Sequence, residues 1–189
     1  MIKRLFDIIA SFLGLIILSP VFLIISFLIL GRMGRPIFFL QKRTGRYGRP
    51  FTIYKFRTMT TDHSGSTVSV RGESRITPLG AVLRKYKLDE LPELFNVFIG
   101  DMSFVGPRPE RPQFVAELAK KLPFYTMRHM VKPGITGWAQ ICFPYGASEE
   151  DAREKLEYDL YYIKNYSIFF DTVILLQTVH TVFWGKGAH

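Results

Sequence analysis

An uncharged, apolar run of about 23 residues, 8–30, constrains the fold of this chain more than any other feature. A helix of that length is long enough to cross the hydrocarbon core of a bilayer. The dipeptide Ser19-Pro20 interrupts the run near its middle, where proline removes a backbone donor and bends a helix. The run therefore predicts an apolar helix that is broken at its centre.

Basic residues flank the run on both sides, with Lys3 and Arg4 before it and six cations after it: Arg32, Arg35, Lys42, Arg43, Arg46 and Arg49. Positively charged flanks prefer the cytoplasmic side of a membrane. A helix that bends at Pro20 and leaves by the leaflet it entered keeps both flanks on that side, whereas a straight span keeps only one. The pattern favours a re-entrant helix over residues 1–34. A straight transmembrane helix and a buried helix of a soluble protein stay open as alternatives.

The amino-acid composition limits the kinds of molecule that the chain is expected to bind. The formal charge of +9 and the isoelectric point near 9.7 indicate an anionic partner, which is a nucleic acid, a membrane surface or a phosphorylated substrate. The lone Cys142 gives no disulfide framework, and the four histidines show no zinc-binding spacing. A length of 189 residues suits one domain, so residues 35–189 are interpreted as one integrated unit.

Two adjacent carboxylates, Asp89 and Glu90, lie between a basic segment and an apolar run with helical spacing. The spacing predicts a helix over residues 90–99, with Asp89 as its cap and Pro92 in its first turn. Unpaired N–H groups and the positive dipole end at such a terminus stabilise anions. A carboxylate kept ionised there can attack phosphorus or bind Mg²⁺. The alternative is that both residues only cap a helix.

Residues 36–42 and 50–57 are aromatic and β-branched and enclose a glycine-containing connector, which predicts a β-hairpin. Strand alternation places Lys55 and Arg57 on one face, where both could bind phosphate. A solvated strand face is the alternative interpretation of the same pair.

Two further arginines are expected near the carboxylates. Thr77-Pro78 has the N-cap and N1 pattern of a short helix that carries Arg84 toward them. Gly106-Pro-Arg-Pro109 is a stiff loop that presents Arg108 at small entropic cost and suits bidentate phosphate recognition. An ordinary connecting loop is the alternative.

The remaining segments predict loops and helices. A surface loop is expected over residues 60–74, and helices are expected over 110–121, 124–131, 148–165 and 168–184. The helix over 148–165 has a capping-box-like start at Ser148-Glu-Glu-Asp151. Arg128 and His129 are interpreted as a solvated edge, Trp138 as either packing or a pocket wall, and helix 168–184 as lying on a bilayer or packed on the core. The chain therefore predicts an α+β fold, mainly helical, with a small hairpin and surface amphipathic helices.

Five motifs follow one another in a distinctive order: the bent N-terminal helix, Lys55-Phe-Arg57, Leu88-Asp-Glu-Leu-Pro92, Gly106-Pro-Arg-Pro109 and Pro133-Gly-Ile-Thr-Gly-Trp138. Together they resemble the bacterial sugar transferases, the monotopic phosphoglycosyl transferases, over essentially the whole chain. Segments 144–148 and 158–162 look like the exopolysaccharide-type members, which usually carry an extra N-terminal membrane domain. The chain is expected to be either a naturally short enzyme or a catalytic domain.

The resemblance implies a reaction. Asp89 would attack the β-phosphate of a UDP-sugar and release UMP, and undecaprenyl phosphate would then take the phosphosugar from Asp89. Glu90 would assist by orienting the acceptor phosphate, as a base or through Mg²⁺. Asp89 and Glu90 are the candidate ligands of Mg²⁺, and contact of the ion with the phosphates alone stays open. The phosphates would be neutralised by Lys55, Arg57, Arg84 and Arg108.

The resemblance also implies a location. The helix broken at Ser19 and Pro20 would be re-entrant from the cytoplasmic face of the bacterial inner membrane, among membrane lipids, with residues 35–189 as the catalytic domain on that face. Nucleic acid is not an expected partner, and self-association and the identity of the sugar stay open. Two alternatives are a non-catalytic, basic, membrane-anchored lipid-binding module and a glycosyltransferase that releases UDP, although no Asp-x-Asp motif favours the latter.

Overall fold

The computed structural model describes residues 2–60, 75–143, 146 and 148–184, with side chains up to residue 181. Most of the predicted surface loop over residues 60–74 lies outside this part of the chain. The helices are α1 (Ile2–Ile17), α2 (Ser19–Met33), α3 (Pro78–Lys85), α4 (Glu93–Ile99), α5 (Pro112–Lys121), α6 (Trp138–Cys142), α7 (Glu149–Lys164) and α8 (Ile168–Trp184). The strands are β1 (Phe38–Thr44), β2 (Pro50–Phe56), β3 (Ser103–Val105) and β4 (Gly134–Thr136). The predicted α+β, mainly helical class is confirmed.

The N-terminal apolar run forms α1 and α2, which meet at an angle of 58° at the predicted break. Pro20 has no N–H to donate to the carbonyl oxygen of Ile16, and the Ser19 hydroxyl donates to that oxygen instead, at 2.8 Å. Among the described residues, no helix alone is long and apolar enough to cross a bilayer. The bent pair α1–α2 meets that requirement of length and composition when it is taken together.

The helix pair has a buried face and a broad exposed apolar face. Ile25 and Ile29 of α2 are 4% and 0% exposed and pack against Phe56 and Leu83. The outward face carries large apolar side chains that are each about half exposed or more: Phe12, Ile16, Leu23, Ile24 and Phe27. A continuous apolar surface of this kind marks an interaction site in a folded protein.

The hairpin places one cation beside α4. β1 and β2 pair antiparallel, with Phe39 opposite Lys55, so the predicted hairpin is confirmed. Asn96 of α4 fixes β2 from the side, because its amide donates to Thr52 O at 2.7 Å and its carbonyl oxygen accepts from Tyr54 N at 3.1 Å. Lys55 is therefore held close to the N-terminal end of α4.

The C-terminal helices pack around the short parallel pair of β3 and β4. Ile174 of α8 is fully buried with Val105 and Tyr162, so α8 packs on the core. The Trp138 ring lies 5.0 Å from the Phe170 ring, which makes it a packing residue. α7 begins with the predicted capping box at Ser148.

The prediction that Arg128 lies on a solvated edge is wrong. Residues 125–130 form a 3₁₀ helix, and Arg128 is 6% exposed. Its guanidinium lies 2.7 Å from Asp159 Oδ2 and donates to Tyr125 Oη at 2.7 Å. Burial follows because Asp159, on α7, supplies the counter-charge that the guanidinium needs away from water. His129 is half-buried.

Candidate active site

The two carboxylates lie on a tight turn that precedes α4. Leu88–Glu90 is a 3₁₀ helix that starts after Lys87, whose backbone is left-handed (φ 56°). α4 begins only at Glu93, so the predicted helix start at Glu90, with Asp89 as its cap, is wrong. Pro92 cannot donate a helical hydrogen bond, which keeps the preceding turn separate from α4. Anions at this turn would therefore meet basic side chains rather than a helix terminus.

Asp89 is buried, and one of its oxygens has no partner. The residue is 9% exposed, and its Oδ1 accepts no hydrogen bond from the described part of the chain. Burial raises the pKa of Asp89, and the charge of Glu90 adds to the rise, while Lys55, Arg84 and Lys87 oppose it. An ionised Asp89 would thus carry a poorly solvated oxygen whose charge no hydrogen bond from the described residues offsets.

Glu90, by contrast, is paired twice. Its Oε1 lies 2.6 Å from Lys55 Nζ and 3.1 Å from Arg108 Nη2. Burial alone would raise the pKa of Glu90, but Arg108 and Lys55 outweigh it and hold that pKa well below its usual range. Glu90 is therefore a fixed negative charge that holds Lys55 and Arg108 next to the residue that follows Asp89.

Glu93 is a third carboxylate of the same cluster. It is 2% exposed and lies 3.0 Å from Lys55 Nζ. Burial raises its pKa to about 7, and repulsion from Glu90 contributes to that rise, while Lys55 opposes it. With a pKa of about 7, Glu93 is protonated in about half of the molecules near neutral pH. The cleft beside it is lined by Arg43, Ile53, Lys55, Glu93, Arg108 and Pro109.

Arg84 reaches the site from α3, as the sequence predicts. Thr77 caps this helix by accepting from Gly80 N at 3.0 Å, so the predicted helix start is confirmed. Arg84 Nε donates to Thr58 Oγ1 at 2.9 Å. Its positive charge lowers the pKa of Asp89 against the effect of burial.

Arg57 lies apart from the other predicted phosphate-binding residues. It follows the end of β2, and its guanidinium donates to the carbonyl oxygens of Met33, Gly34 and Arg35. These oxygens belong to the C-terminal end of α2 and its following turn, where a cation also complements the helix dipole. The contacts give Arg57 a structural role, and its phosphate-binding role stays a prediction.

The structure thus brings together Asp89, Glu90, Lys55, Arg84 and Arg108. Sequence reasoning missed Glu93, although its position one helical turn after Glu90 was a usable signal. It also missed Arg43 and Arg128, which contact the loop that carries Arg108. Their contacts join segments far apart in the sequence, so no local pattern could indicate them.

The donor atoms present are compatible with Mg²⁺. This ion is typically bound by one or two carboxylates together with substrate phosphates. Asp89 Oδ1 is a free hard oxygen, whereas Glu90 Oε1 already faces two cations. The described residues contain no group of three His, Cys, Asp or Glu side chains that could hold a metal unaided. Asp89, with Glu90 beside it, would therefore need substrate phosphates to complete the coordination.

Fold and site together define a class of protein: a mainly helical α+β unit in which an apolar bent helix pair adjoins a buried carboxylate cluster surrounded by cations. The chain belongs to the bacterial sugar transferase family, because the sequence model of that family matches residues 1–185. The predicted family resemblance is confirmed.

Three relatives illustrate the family. The chain is 44% identical over 189 residues to the UDP-N-acetylgalactosamine-undecaprenyl-phosphate N-acetylgalactosaminephosphotransferase of Aeromonas hydrophila, covering 99% of this chain and 45% of that protein. It is 43% identical to the uncharacterized sugar transferase EpsL of Bacillus subtilis (strain 168), covering 98% of this chain and 89% of that protein. It is 41% identical to the UDP-glucose:undecaprenyl-phosphate glucose-1-phosphate transferase of Klebsiella pneumoniae, covering 99% of this chain and 41% of that protein. The chain thus spans less than half of the first and third relatives and most of the second.

Proposed function

We propose that this chain is a phosphoglycosyl transferase that moves a sugar-1-phosphate from a UDP-sugar to undecaprenyl phosphate and releases UMP, as the first membrane step of bacterial exopolysaccharide or glycoconjugate synthesis. The observation that carries the proposal is the unpaired, buried Oδ1 of Asp89 within a cluster of cations. The names of the Aeromonas and Klebsiella relatives support the donor and acceptor classes.

The first half-reaction is a displacement at phosphorus. An oxygen of Asp89 bonds to the β-phosphorus of the UDP-sugar, the bond from that phosphorus to the bridging oxygen breaks, and UMP leaves with the bonding electrons. Arg84, Lys55 and Arg108 lie around Asp89 and Glu90, where they stabilise the charge that develops on the phosphoryl oxygens. Mg²⁺, held by Asp89 and Glu90 with the substrate phosphates, would supply further charge neutralisation.

The second half-reaction returns Asp89 to its starting state. A phosphate oxygen of undecaprenyl phosphate attacks the same phosphorus, and the Asp89 carboxylate is the leaving group. The paired charge of Glu90 suits it to orient the incoming phosphate through Lys55 and Arg108. The product is undecaprenyl-diphosphate-sugar, which leaves the site ready for another donor.

The location proposed for this reaction is the cytoplasmic face of the bacterial inner membrane. The exposed apolar face of α1 and α2, the 58° bend and the cations at both ends of the pair support a re-entrant, monotopic insertion. The acceptor phosphate is borne on a lipid and lies at headgroup depth. The site must therefore lie at the membrane surface as well.

Intact-protein mass spectrometry tests the proposal. Wild-type protein is incubated with each member of a panel of UDP-sugars and Mg²⁺, but without lipid acceptor. We expect one donor to add the mass of one phosphosugar and to release one UMP. Adding undecaprenyl phosphate should then remove the adduct. Asp89→Asn should form no adduct, whereas the matched variant Asp101→Asn should behave as wild type.

Three outcomes would overturn the proposal. Release of UDP would indicate direct sugar transfer, and an active Asp89→Asn variant would remove Asp89 from the nucleophile's role. No nucleotide release from any donor with acceptor present, together with vesicle binding that fades as salt rises, would favour a basic lipid-binding module.

A further inference from the structure

The loop that carries Arg108 is held by its main chain. Four successive carbonyl oxygens of this loop each accept a hydrogen bond, and the four donors belong to three parts of the fold. The pairs are Pro107 O with Gly134 N (3.0 Å), Arg108 O with Arg128 Nη2 (3.0 Å), Pro109 O with Arg43 Nη1 (3.1 Å) and Glu110 O with Thr44 N (2.8 Å). The loop is therefore fixed from β4, the 3₁₀ helix 125–130 and the hairpin at the same time.

Two of the four donors are arginine side chains, and the better buried one is itself fixed. Arg128 is 6% exposed, and its remaining contacts are the Tyr125 hydroxyl and the Asp159 carboxylate. Asp159 is 2% exposed and belongs to α7, which lies outside the carboxylate cluster. A chain of direct contacts thus runs from α7 through Arg128 to the main chain of Arg108.

We propose that Arg128 and Arg43 are positioning residues for the transfer reaction, which act by holding the Arg108 loop so that the Arg108 guanidinium stays on Glu90. This inference rests on the proposed function for its kinetic consequences. Arg108 Nη2 lies 3.1 Å from Glu90 Oε1, and its side chain is still 36% exposed, so it needs support from its own main chain to stay in place. Arg128 provides that support at the carbonyl of the same residue.

The geometry requires a guanidinium at position 128. Arg128 contacts Tyr125 Oη, Arg108 O and Asp159 Oδ2 at once, using two different terminal nitrogens. A lysine keeps the positive charge but presents a single ammonium centre on a flexible stem, so it cannot reproduce a fixed fork. Arg128→Lys should therefore preserve the ion pair with Asp159 and release the carbonyl of Arg108.

The first test compares Arg128→Lys with Arg4→Lys. Arg4 is a chemically matched control, because it also donates to two main-chain oxygens, Val97 O at 2.6 Å and Phe98 O at 2.8 Å, but away from the loop. We expect Arg128→Lys to lower kcat for UMP release about ten- to hundred-fold, with KM for the donor changed less than about two-fold, since misplacement of a group that acts on the transition state lowers kcat. Arg4→Lys should retain wild-type kcat per folded molecule. Equal losses in both variants would overturn the inference.

A double-mutant cycle separates positioning from general stability. Arg108→Ala alone removes the group that Arg128 is proposed to hold. Adding Arg128→Lys to Arg108→Ala should then lower kcat by less than about two-fold, because contacting residues that act as a unit are not additive. If Arg128→Lys lowers kcat by the same factor in the Arg108→Ala background as in wild type, Arg128 acts independently of Arg108. That result would overturn the inference.

A third measurement needs no substrate, so it separates this inference from the proposed function. Hydrogen exchange of peptides that span residues 104–111 and 132–136 reports the loop and the Gly134 N–H that donates to Pro107 O. Exchange should rise at least about ten-fold in Arg128→Lys and not in Arg4→Lys. An inactive wild type with this exchange result would reject the function and leave the positioning intact, whereas unchanged exchange would reject the positioning. If Arg128→Lys does not fold, Arg43→Lys replaces it in these tests. This variant releases Pro109 O, and we expect the same fall in kcat and the same rise in loop exchange.

Discussion

Asp89 and Glu90 are adjacent in the chain and opposite in environment: Glu90 Oε1 faces Lys55 and Arg108, whereas Asp89 Oδ1 has no hydrogen-bond partner in the described part of the protein. The difference separates two roles. In the proposed reaction, Glu90 holds the cations in place as a charge that stays ionised, and Asp89 supplies the oxygen that bonds to phosphorus.

Unfolding measurements should distinguish the two carboxylates. We expect Asp89→Asn to change the free energy of unfolding by less than about 1 kcal/mol, because it removes a buried charge with an unpaired oxygen. Glu90→Gln should cost about 3 kcal/mol, because it leaves Lys55 and Arg108 without their shared counter-ion. Denaturant titration in detergent gives both values. A larger loss for Asp89→Asn than for Glu90→Gln would contradict this assignment.

The pH dependence of stability should depend on Glu93. Its pKa is about 7 in the folded protein against an ordinary 4.5, so the folded state keeps this proton after the unfolded state has lost it. The Glu93 contribution to stability therefore falls as pH rises between these two values. As pH rises from about 5 to about 8, the free energy of unfolding of Glu93→Gln should increase by up to about 3 kcal/mol relative to that of wild type. One pKa unit corresponds to about 1.4 kcal/mol.

Thermal or denaturant unfolding of both proteins across that pH range checks the prediction. Glu117→Gln on α5, for whose carboxyl no contact with the cluster is seen, is the matched control and should follow the wild-type slope. Parallel wild-type and Glu93→Gln curves would show that Glu93 does not titrate in this window.

Arg57 offers a test of a phosphate-binding prediction against a structural role. Arg57→Gln should lower the free energy of unfolding by about 3 kcal/mol, because carbonyl oxygens at the end of α2 lose a charged donor. In the active protein it should change KM for the donor less than about two-fold, whereas Arg84→Gln should raise KM. A KM increase for Arg57→Gln with unchanged stability would restore the phosphate-binding interpretation.

The topology of the bent helix pair is testable by cysteine labelling. In a Cys142→Ser background, Ile2→Cys and Arg35→Cys lie at the two ends of the pair, and Val82→Cys on α3 marks the catalytic side. A re-entrant pair predicts that a membrane-impermeant maleimide labels all three from the cytoplasmic side only. Labelling of Ile2→Cys from the opposite side would indicate a straight span. Pro20→Ala should increase the fraction of Ile2→Cys protein that is labelled from the opposite side, because alanine restores an N–H donor to Ile16 O and so favours a straight helix.

The sequence predicts the elements whose signals are local. Thr77-Pro78, the Ser148 capping box, the hairpin and the Ser19-Pro20 break are each contained within a few residues, and the structure has all of them. The motifs of the resemblance contain Lys55 and Arg108, and the helix start at Thr77-Pro78 predicts that Arg84 also reaches the carboxylate pair.

The errors occur where backbone conformation or distant segments decide the outcome. Apolar spacing predicts a helix start at Glu90, because it does not reveal the left-handed backbone of Lys87. The sequence around Arg128 predicts an exposed side chain, because it does not show the counter-ion Asp159, which lies on another helix. Strand alternation predicts that Arg57 shares a face with Lys55, but it cannot show that the end of α2 lies within reach of Arg57.

The contact between Arg57 and the end of α2 has a mechanical consequence. Lys55 lies in β2 two residues before Arg57, so a short stretch of backbone joins the cation beside Glu90 to the apolar helices. With α1 and α2 inserted in the bilayer as proposed, any rise or fall of the pair in bilayers of different thickness would carry Lys55 with it. The distance between the lipid headgroups and the reacting phosphorus would then be preserved by the protein itself, whatever the lipid composition around it.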